Sequence, residues 1–173
     1  PRSTNTRIDR EASKGKQSGR TQEIQRLIGR SLRSITNLEN LGERQIKIDC
    51  DVLQADGGTR TASISGGFVA LYLAVKKFKE NYNIQKPIIK EFIGAVSSGI
   101  INGKGNLDLD YQEDSAAEVD ANFVICESGK IAEIQVTGEE YFFSEEQFDE
   151  IFKLAKTGIK EILNKQKEVL GLS

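Results

Sequence analysis

The chain contains no histidine among its 173 residues. This absence excludes a Ser-His-Asp triad, or a zinc hydrolase site built on histidine, from this chain alone. The chain also has no methionine, not even at its first position. No apolar run is long enough to cross a bilayer and no secretory leader is found, so we expect a cytoplasmic protein without a membrane partner.

Cysteine is scarce as well. The only two cysteines, Cys50 and Cys126, both fall at apolar positions of alternating stretches. We expect both to be buried, reduced thiols that serve as small core side chains of a cytosolic protein. The length, with 38% hydrophobic and 29% charged residues, is typical of one soluble globular domain with its own core. We find no internal repeat and no linker, so residues 1–173 are expected to form a single domain.

The charge is distributed unevenly along the chain. The net charge is −2, yet residues 1–20 carry six basic and two acidic side chains, which leaves −6 for the remainder. Residues 1–17 also have almost nothing to bury, so they are expected to form a basic arm or loop. Phosphates are the natural partner of such an arm. A solvated, disordered tail is the alternative interpretation.

A glycine pair marks the point where a strand pattern gives way to a helix pattern. Residues 44–54 alternate between apolar and polar side chains, which predicts a half-buried strand, and apolar residues then recur at helical spacing over residues 59–81. Gly57 and Gly58 lie between them. The free N–H groups of the next helix point into this turn, and Arg60 adds a permanent positive charge, so an anion is a suitable ligand. An ordinary tight turn with Arg60 in solvent is the alternative.

A second predicted helix, over residues 21–37, also begins with glycine and arginine. Arg20 lies in its first turn, where the helix dipole disfavours a cation by about 0.3–1 kcal/mol. Pairing of Arg20 with Glu23 would explain this placement without a ligand. Taken together, however, two helix starts that each carry an arginine suggest one oxyanion held from two sides.

The remaining pattern is mixed helix and strand. Residues 92–101 predict a buried strand, residues 103–105 a turn, and residues 119–126 and 131–136 a hairpin. Ser144 and Gln147 have the spacing of a capping box, which starts a C-terminal helix.

Two aspartates, Asp114 and Asp120, belong to an acidic cluster that lies between the predicted strands and extends into the first strand of the hairpin. Clustered carboxylates repel one another unless one is protonated or a cation lies among them. Oxygen ligands without histidine or cysteine suit Mg²⁺ or Mn²⁺, held in part through a substrate phosphate. A solvated acidic loop is the alternative interpretation.

Several of these segments together resemble the ribonuclease PH family closely. The matching runs begin with Ser18-Gly-Arg-Thr-Gln-Glu-Ile-Gln-Arg-Leu-Ile-Gly-Arg-Ser-Leu-Arg33 and Ile48-Asp-Cys-Asp-Val-Leu-Gln-Ala-Asp-Gly-Gly-Thr-Arg-Thr-Ala62. They continue with Tyr111-Gln-Glu-Asp, Glu118-Val-Asp-Ala-Asn and Glu133-Ile-Gln-Val-Thr-Gly-Glu-Glu140. The Gly-Thr-Arg form of the loop resembles ribonuclease PH rather than polynucleotide phosphorylase, which carries serines there.

The resemblance implies an α+β, two-layer fold of the kind shared by ribonuclease PH and ribosomal protein S5 domain 2, with a mixed sheet packed by helices. It implies a phosphate-dependent 3′-to-5′ exoribonuclease, a nucleotidyltransferase that trims the 3′ ends of tRNA precursors and releases nucleoside diphosphates. Inorganic phosphate is then the co-substrate, and Mg²⁺ or Mn²⁺ the metal. The residues implied to bind phosphate are Arg20, Gly58, Thr59 and Arg60. Asp114 and Asp120 are implied to be the catalytic, metal-binding pair.

The resemblance also implies partners. Arg2, Arg7 and Arg10 match the tRNA-binding arginines of the family, and the chain is expected to join copies of itself in a ring, a trimer of dimers. The family begins with strands that precede the residue matching Pro1, so part of the sheet and of the ring is expected to be absent. The alternative function is a non-catalytic RNA-binding or ring-forming subunit of an exosome-like assembly.

Overall fold

Helices and an antiparallel sheet build the part of the chain that the structure, a computed structural model, describes: residues 15, 17–138 and 142–172. The helices in these ranges are α1 (Gly19–Ser34), α2 (Leu38–Leu41), α3 (Thr59–Tyr82), α4 (Tyr111–Ala116) and α5 (Glu145–Leu170). The strands are β1 (Ile93–Ile101), β2 (Lys104–Leu107), β3 (Val119–Cys126) and β4 (Ile131–Gly138).

The four strands form one sheet in the order β2-β1-β3-β4. Every pairing is antiparallel, so the mixed sheet expected from the resemblance is not seen among the described strands. The register places Ser97 of β1 opposite Asn122 of β3, and Gly99 opposite Asp120. Directly opposed residues point to the same face of a sheet. These four residues therefore share one face.

Helices cover both faces of the sheet. Ile93 and Ala95 of β1, with Val124 and Cys126 of β3, pack in one core with α1 and α3. The alternate residues of both strands pack in a second core against α5. The prediction of an α+β fold with a sheet packed by helices is confirmed, although the helices lie on two faces rather than on one. Burial on both faces explains why β1 is apolar along its whole length.

Side chains from α3 and α5 close the open edge of β1. Because β2 pairs only with residues 98–101, the first half of β1 has no strand on that side among the described residues. The Ser65 hydroxyl of α3 accepts from the N–H of Ala95 and donates to its carbonyl, at 3.1 and 3.2 Å. The Gln166 amide of α5 donates to the carbonyl of Ile93 at 3.0 Å. The bonds of Ser65 hold α3 against β1, and the bond of Gln166 holds α5 against it.

The predicted strand over residues 44–54 is wrong. The segment is irregular, and no described strand pairs with it. Its alternation is nevertheless reflected in burial, because Ile46, Ile48 and Cys50 are half-buried while residues 45, 47 and 49 are exposed. Ile48 and Cys50 cover Gly67 of α3. An alternating pattern sets which side chains turn inward, but a strand also needs a hydrogen-bonded neighbour.

The other elements follow the sequence pattern closely. The helix expected over residues 59–81 is α3, and the expected hairpin is β3 and β4. The capping box of Ser144 and Gln147 is formed at the start of α5. The first helix ends at Ser34, three residues early. Neither cysteine forms a disulfide bond with the other; Cys126 is buried as expected, but Cys50 is only half-buried. No helix in the described ranges has the length and apolar character needed to cross a membrane.

Candidate active site

The start of α3 offers backbone N–H groups that no described side chain caps. Its N-cap residue, Gly58, has φ +62° and ψ +20°, a left-handed conformation that glycine adopts without strain. Gly57 also has to be glycine, because a Cβ there would lie 1.6 Å from the carbonyl oxygen of Leu109. The first N–H groups of Thr59 and Arg60 therefore remain available to an anion.

The start of α1 carries a cation where a carboxylate is usual. Ser18 caps this helix by accepting a hydrogen bond from the N–H of Thr21 at 3.2 Å. No acidic residue lies in the first turn. Arg20 is exposed, and no hydrogen bond or ion pair joins its guanidinium to another residue of the described ranges. Its charge is therefore available to a ligand.

Glu23 brings the two helix starts together. Its Oε1 lies 3.9 Å from Nη1 of Arg60 and accepts a hydrogen bond from the Gln135 amide of β4 at 3.1 Å. The alternative pairing, in which Glu23 neutralises Arg20, is therefore not found. Since Glu23 lies one turn after Arg20 on α1, the Arg60 guanidinium lies beside the first turns of that helix. The two arginines predicted to share an anion belong to neighbouring helix ends.

A second polar pair holds α1 against the sheet. Two turns after Glu23, the guanidinium of Arg30 forms a two-pronged ion pair with the carboxylate of Glu133 on β4. The hydrogen bond and charge of Glu133 raise the pKa of Arg30. With the contact between Glu23 and Gln135, this pair fixes α1 at two points along β4. The position of Arg20 relative to Arg60 is thereby set by the sheet.

The first of the two candidate aspartates lies on α4, which packs beside the glycine turn. Asp114 is exposed in the last half of this six-residue helix. A capping box of Asp110 and Glu113 starts the helix. The Oδ1 of Asp56 accepts a further hydrogen bond from the backbone N–H of Tyr111 at 3.0 Å. The residue before the glycine pair is thus bonded directly to the helix that carries Asp114.

The second aspartate, Asp120, is half-buried near the start of β3, opposite Gly99. Leu109 connects this place with the glycine turn. Its carbonyl contacts Gly57, and its Cδ1 would lie 2.8 Å from a Cβ at Gly99. Leu109 leaves no space for a side chain at Gly57, and at Gly99 the carbonyl oxygen of Val119, 2.3 Å from the Cβ position, excludes one together with Leu109. The turn, the start of α4 and the start of β3 therefore form one region that is packed around the buried Leu109.

This region has the donors that a hard cation prefers, but not a complete set. Within the described ranges, no group of three or more histidine, cysteine, aspartate or glutamate side chains is placed to hold a metal ion. Asp114 and Asp120 supply carboxylate oxygens. Mg²⁺ commonly uses one or two carboxylates together with waters and substrate phosphate oxygens. In its chemistry, this pair of carboxylates is therefore of the kind that a cation held jointly with the substrate uses.

The described residues place most of the predicted site residues on elements that border the glycine turn or are linked to it. Gly58, Thr59 and Arg60 lie at the start of α3, the aspartates lie on α4 and β3, and Arg20 lies at the start of α1, the helix that contacts Arg60 through Glu23. The arginines Arg2, Arg7 and Arg10 lie outside the described residues. The sequence pattern did not single out Asp56, because its bond to Tyr111 joins residues 55 positions apart. The short helix α4 was also not predicted, although the spacing of Asp110 and Glu113 was a signal for it.

Family models and known proteins match the chain over most of its length. Residues 1–77 match the model of the 3′ exoribonuclease family, domain 1, and residues 91–158 match that of domain 2. The chain is 57% identical over 172 residues to ribonuclease PH of Syntrophomonas wolfei, covering 99% of this chain and 72% of that protein. It is 56% identical to ribonuclease PH of Bacillus subtilis, with 99% and 70% covered.

Solved structures support the fold. Rice (Oryza sativa) Rrp46 superposes with a TM-score of 0.65 at 17% identity, covering 90% of this chain and 67% of that one. An archaeal exosome core chain superposes with a TM-score of 0.60 at 19% identity, covering 84% and 62%. The chain belongs to the 3′ exoribonuclease family. It is a homologue of ribonuclease PH, as the sequence motifs predicted, and the prediction of an enzyme of this class is confirmed.

Proposed function

We propose that this chain is a phosphorolytic 3′-to-5′ exoribonuclease that shortens the 3′ ends of tRNA precursors and other RNAs. The observation that carries the proposal is the meeting of two arginine-bearing helix starts, where Arg20 and Arg60 flank uncapped backbone N–H groups. Such a place attracts a small oxyanion rather than a neutral ligand. The homology to ribonuclease PH supports inorganic phosphate as that oxyanion.

In the proposed reaction, an oxygen of inorganic phosphate attacks the phosphorus of the last phosphodiester. A new P–O bond forms as the bond to the O3′ of the preceding nucleotide breaks. The leaving O3′ takes up a proton, and the terminal nucleotide departs as a nucleoside diphosphate. No covalent enzyme intermediate is needed, which agrees with the absence of histidine.

The task of the site is to bring two anions together. Arg20, Arg60 and the N–H groups of Thr59 and Arg60 would neutralise and orient the phosphate. Asp114 and Asp120 would hold Mg²⁺ or Mn²⁺ together with oxygens of the RNA. When bound, such an ion supplies charge neutralisation at the reacting phosphate. Asp56 would keep α4, and with it Asp114, at a fixed distance from the glycine turn.

Other parts of the proposal concern partners. The basic arm, with Arg2, Arg7 and Arg10, would contact the phosphates of the tRNA body without reading bases. Copies of the chain would associate in a ring, as a trimer of dimers. The protein would work in the cytoplasm. The similarity of the chain to ribonuclease PH supports each of these proposals.

Trimming of a 3′-extended tRNA with and without inorganic phosphate tests the proposal. We expect shortening only when phosphate is present, with nucleoside diphosphates as products. Equal shortening without phosphate, with monophosphates released, would show a hydrolase instead. RNA binding without turnover at any phosphate or Mg²⁺ concentration would favour the alternative, a non-catalytic ring subunit.

A further inference from the structure

A buried hydroxyl beneath the glycine turn has no hydrogen-bond partner. Ser97 of β1 is 3% exposed, and its Oγ makes no hydrogen bond within the described part of the chain. Buried polar atoms are nearly always paired, and an exception calls for an explanation such as a bound water, an ion or a functional role. Ser97 is therefore a candidate for a role that the fold alone does not explain.

The position of this hydroxyl points to the start of α3. The Oγ of Ser97 lies 3.4 Å from the place where Gly58 would carry a Cβ. The backbone around Ser97 is already occupied, since its carbonyl accepts from the N–H of Asp108 at 2.8 Å. The hydroxyl of Thr61, the other one beside Gly58, donates to the Gly58 carbonyl at 2.8 Å. The Ser97 hydroxyl is left without such a bond next to the N-cap of α3.

The neighbouring serines show what a purely structural hydroxyl does in this fold. Ser98 is next in β1 and faces α5, where its Oγ donates to the carbonyl of Ile151 at 3.1 Å. Ser65 is paired with Ala95. The sheet is also polar around Ser97, because its cross-strand neighbour Asn122 is 5% exposed and shares its face. The unpaired hydroxyl of Ser97 and the amide of Asn122 thus form a buried polar patch on the face of the sheet beneath the glycine turn.

We propose that Ser97 is a further phosphate-binding residue, whose hydroxyl donates a hydrogen bond to the anion at the start of α3. This inference rests on the proposed function, since the anion is the attacking phosphate. The turn covers the hydroxyl, so the contact forms as the backbone at Gly58 moves aside when the anion binds. Glycine without a side chain permits that movement. The bound phosphate then satisfies a donor that the ligand-free protein leaves unpaired.

The prediction separates stability from binding. In Ser97→Ala, the free protein loses no hydrogen bond, so its melting temperature should stay the same or rise. Its affinity for inorganic phosphate should fall about tenfold. The stabilisation of the protein by a given phosphate concentration should also shrink, because it depends on the logarithm of the ratio of that concentration to the Kd. If Ser97 had only a structural role, its replacement by alanine would lower the melting temperature and leave the affinity for phosphate unchanged.

Ser98→Ala is the matched control. It removes a buried hydroxyl that is bonded, so we expect a lower melting temperature with unchanged phosphate affinity. Isothermal titration calorimetry with inorganic phosphate alone gives the affinities, and thermal unfolding gives the stabilities. The Michaelis constant for phosphate should rise in Ser97→Ala while kcat changes little. Ser97→Cys, which keeps the size and only a weak donor, should behave like Ser97→Ala.

The outcomes are distinguishable. Phosphate binding by Ser97→Ala as tight as by the wild type would overturn this inference and leave the proposed function intact. A wild-type protein that binds no phosphate would overturn both. Weaker binding in Ser97→Ala and in Ser97→Cys, with normal binding in Ser98→Ala, would support the assignment.

Discussion

The carboxylate of Asp56 accepts a hydrogen bond from the backbone N–H of Tyr111, with 3.0 Å between Oδ1 and the nitrogen. The bond joins the residue that precedes the glycine pair to the first residue of α4. Asp56 lies three residues before Thr59, where α3 begins with its uncapped N–H groups, and Tyr111 lies three residues before Asp114 on α4. Through this bond, the phosphate-binding and acidic parts of the proposed site keep a fixed relation.

We expect Asp56→Ala to lower kcat by roughly tenfold, because a displacement of about 1 Å at a reacting centre can cost as much as 100-fold. The Michaelis constant for phosphate should change less, since Arg20 and Arg60 remain. Asp56→Asn is the control, because its amide oxygen can still accept from Tyr111. Steady-state kinetics on a 3′-extended tRNA measures both constants. Equal losses in the two variants would point to the charge of Asp56 rather than to its bond.

Arg20→Ala and Arg60→Ala should each weaken the use of phosphate far more than the binding of RNA. Each removes a charge-assisted contact worth about 1.5–3 kcal/mol. The apparent affinity for phosphate should fall by about tenfold or more. Arg33→Ala, which removes an exposed arginine at the other end of α1, serves as the control. An unchanged phosphate dependence in both test variants would contradict the proposed anion site.

Asp114→Asn and Asp120→Asn should stop turnover while RNA stays bound. Removal of a carboxylate lessens repulsion of the RNA, so its affinity should hold or increase. Turnover should fall because the cation and the charge in the transition state lose a ligand. Asp149→Asn on α5, which packs on the opposite face of the sheet, is the control. Near-normal rates at ordinary Mg²⁺ concentration would support a solvated acidic loop.

The two thiols should differ in reactivity. Burial, together with the nearby charge of Glu91, raises the pKa of the Cys126 thiol to about 11. A thiol reagent at pH 8 should therefore modify the half-buried Cys50 first and Cys126 only slowly. Because the thiol ionises less readily in the folded protein than in the unfolded chain, the free energy of unfolding should be unaffected below about pH 9. It should decrease as the pH rises from there towards 11. Unfolding curves recorded over a pH series should show that Cys126→Ala removes this loss of stability at alkaline pH. In the labelling experiment, equal modification of both thiols would argue against the burial of Cys126.

Local signals predicted much of the fold. The helical spacing after Gly58 predicted α3 almost to its last residue, and the pair Ser144 and Gln147 predicted the start of α5. In both cases the information lies within a few residues of the feature. For residues 44–54, the alternation predicted the burial of Ile48 correctly but not the backbone, because strand pairing depends on a second segment.

The same distinction applies to the site. The motif around Arg60 predicted an anion site from neighbouring residues alone. By contrast, the pairing of Glu23 with Arg60 instead of Arg20 depends on how α1 docks against β4. The unpaired hydroxyl of Ser97 is visible only once β1 lies beneath the turn. Contacts between segments distant in the chain have no signature in either segment.

The origin of the phosphate in the product tests the central claim most directly. The enzyme is incubated with 3′-extended tRNA and inorganic phosphate labelled with ³²P, and the released nucleotides are separated. Phosphorolysis at the site of Arg20 and Arg60 predicts label in the β-phosphate of nucleoside diphosphates, and loss of that label in Arg60→Ala. Unlabelled nucleoside monophosphates as the released product would contradict it.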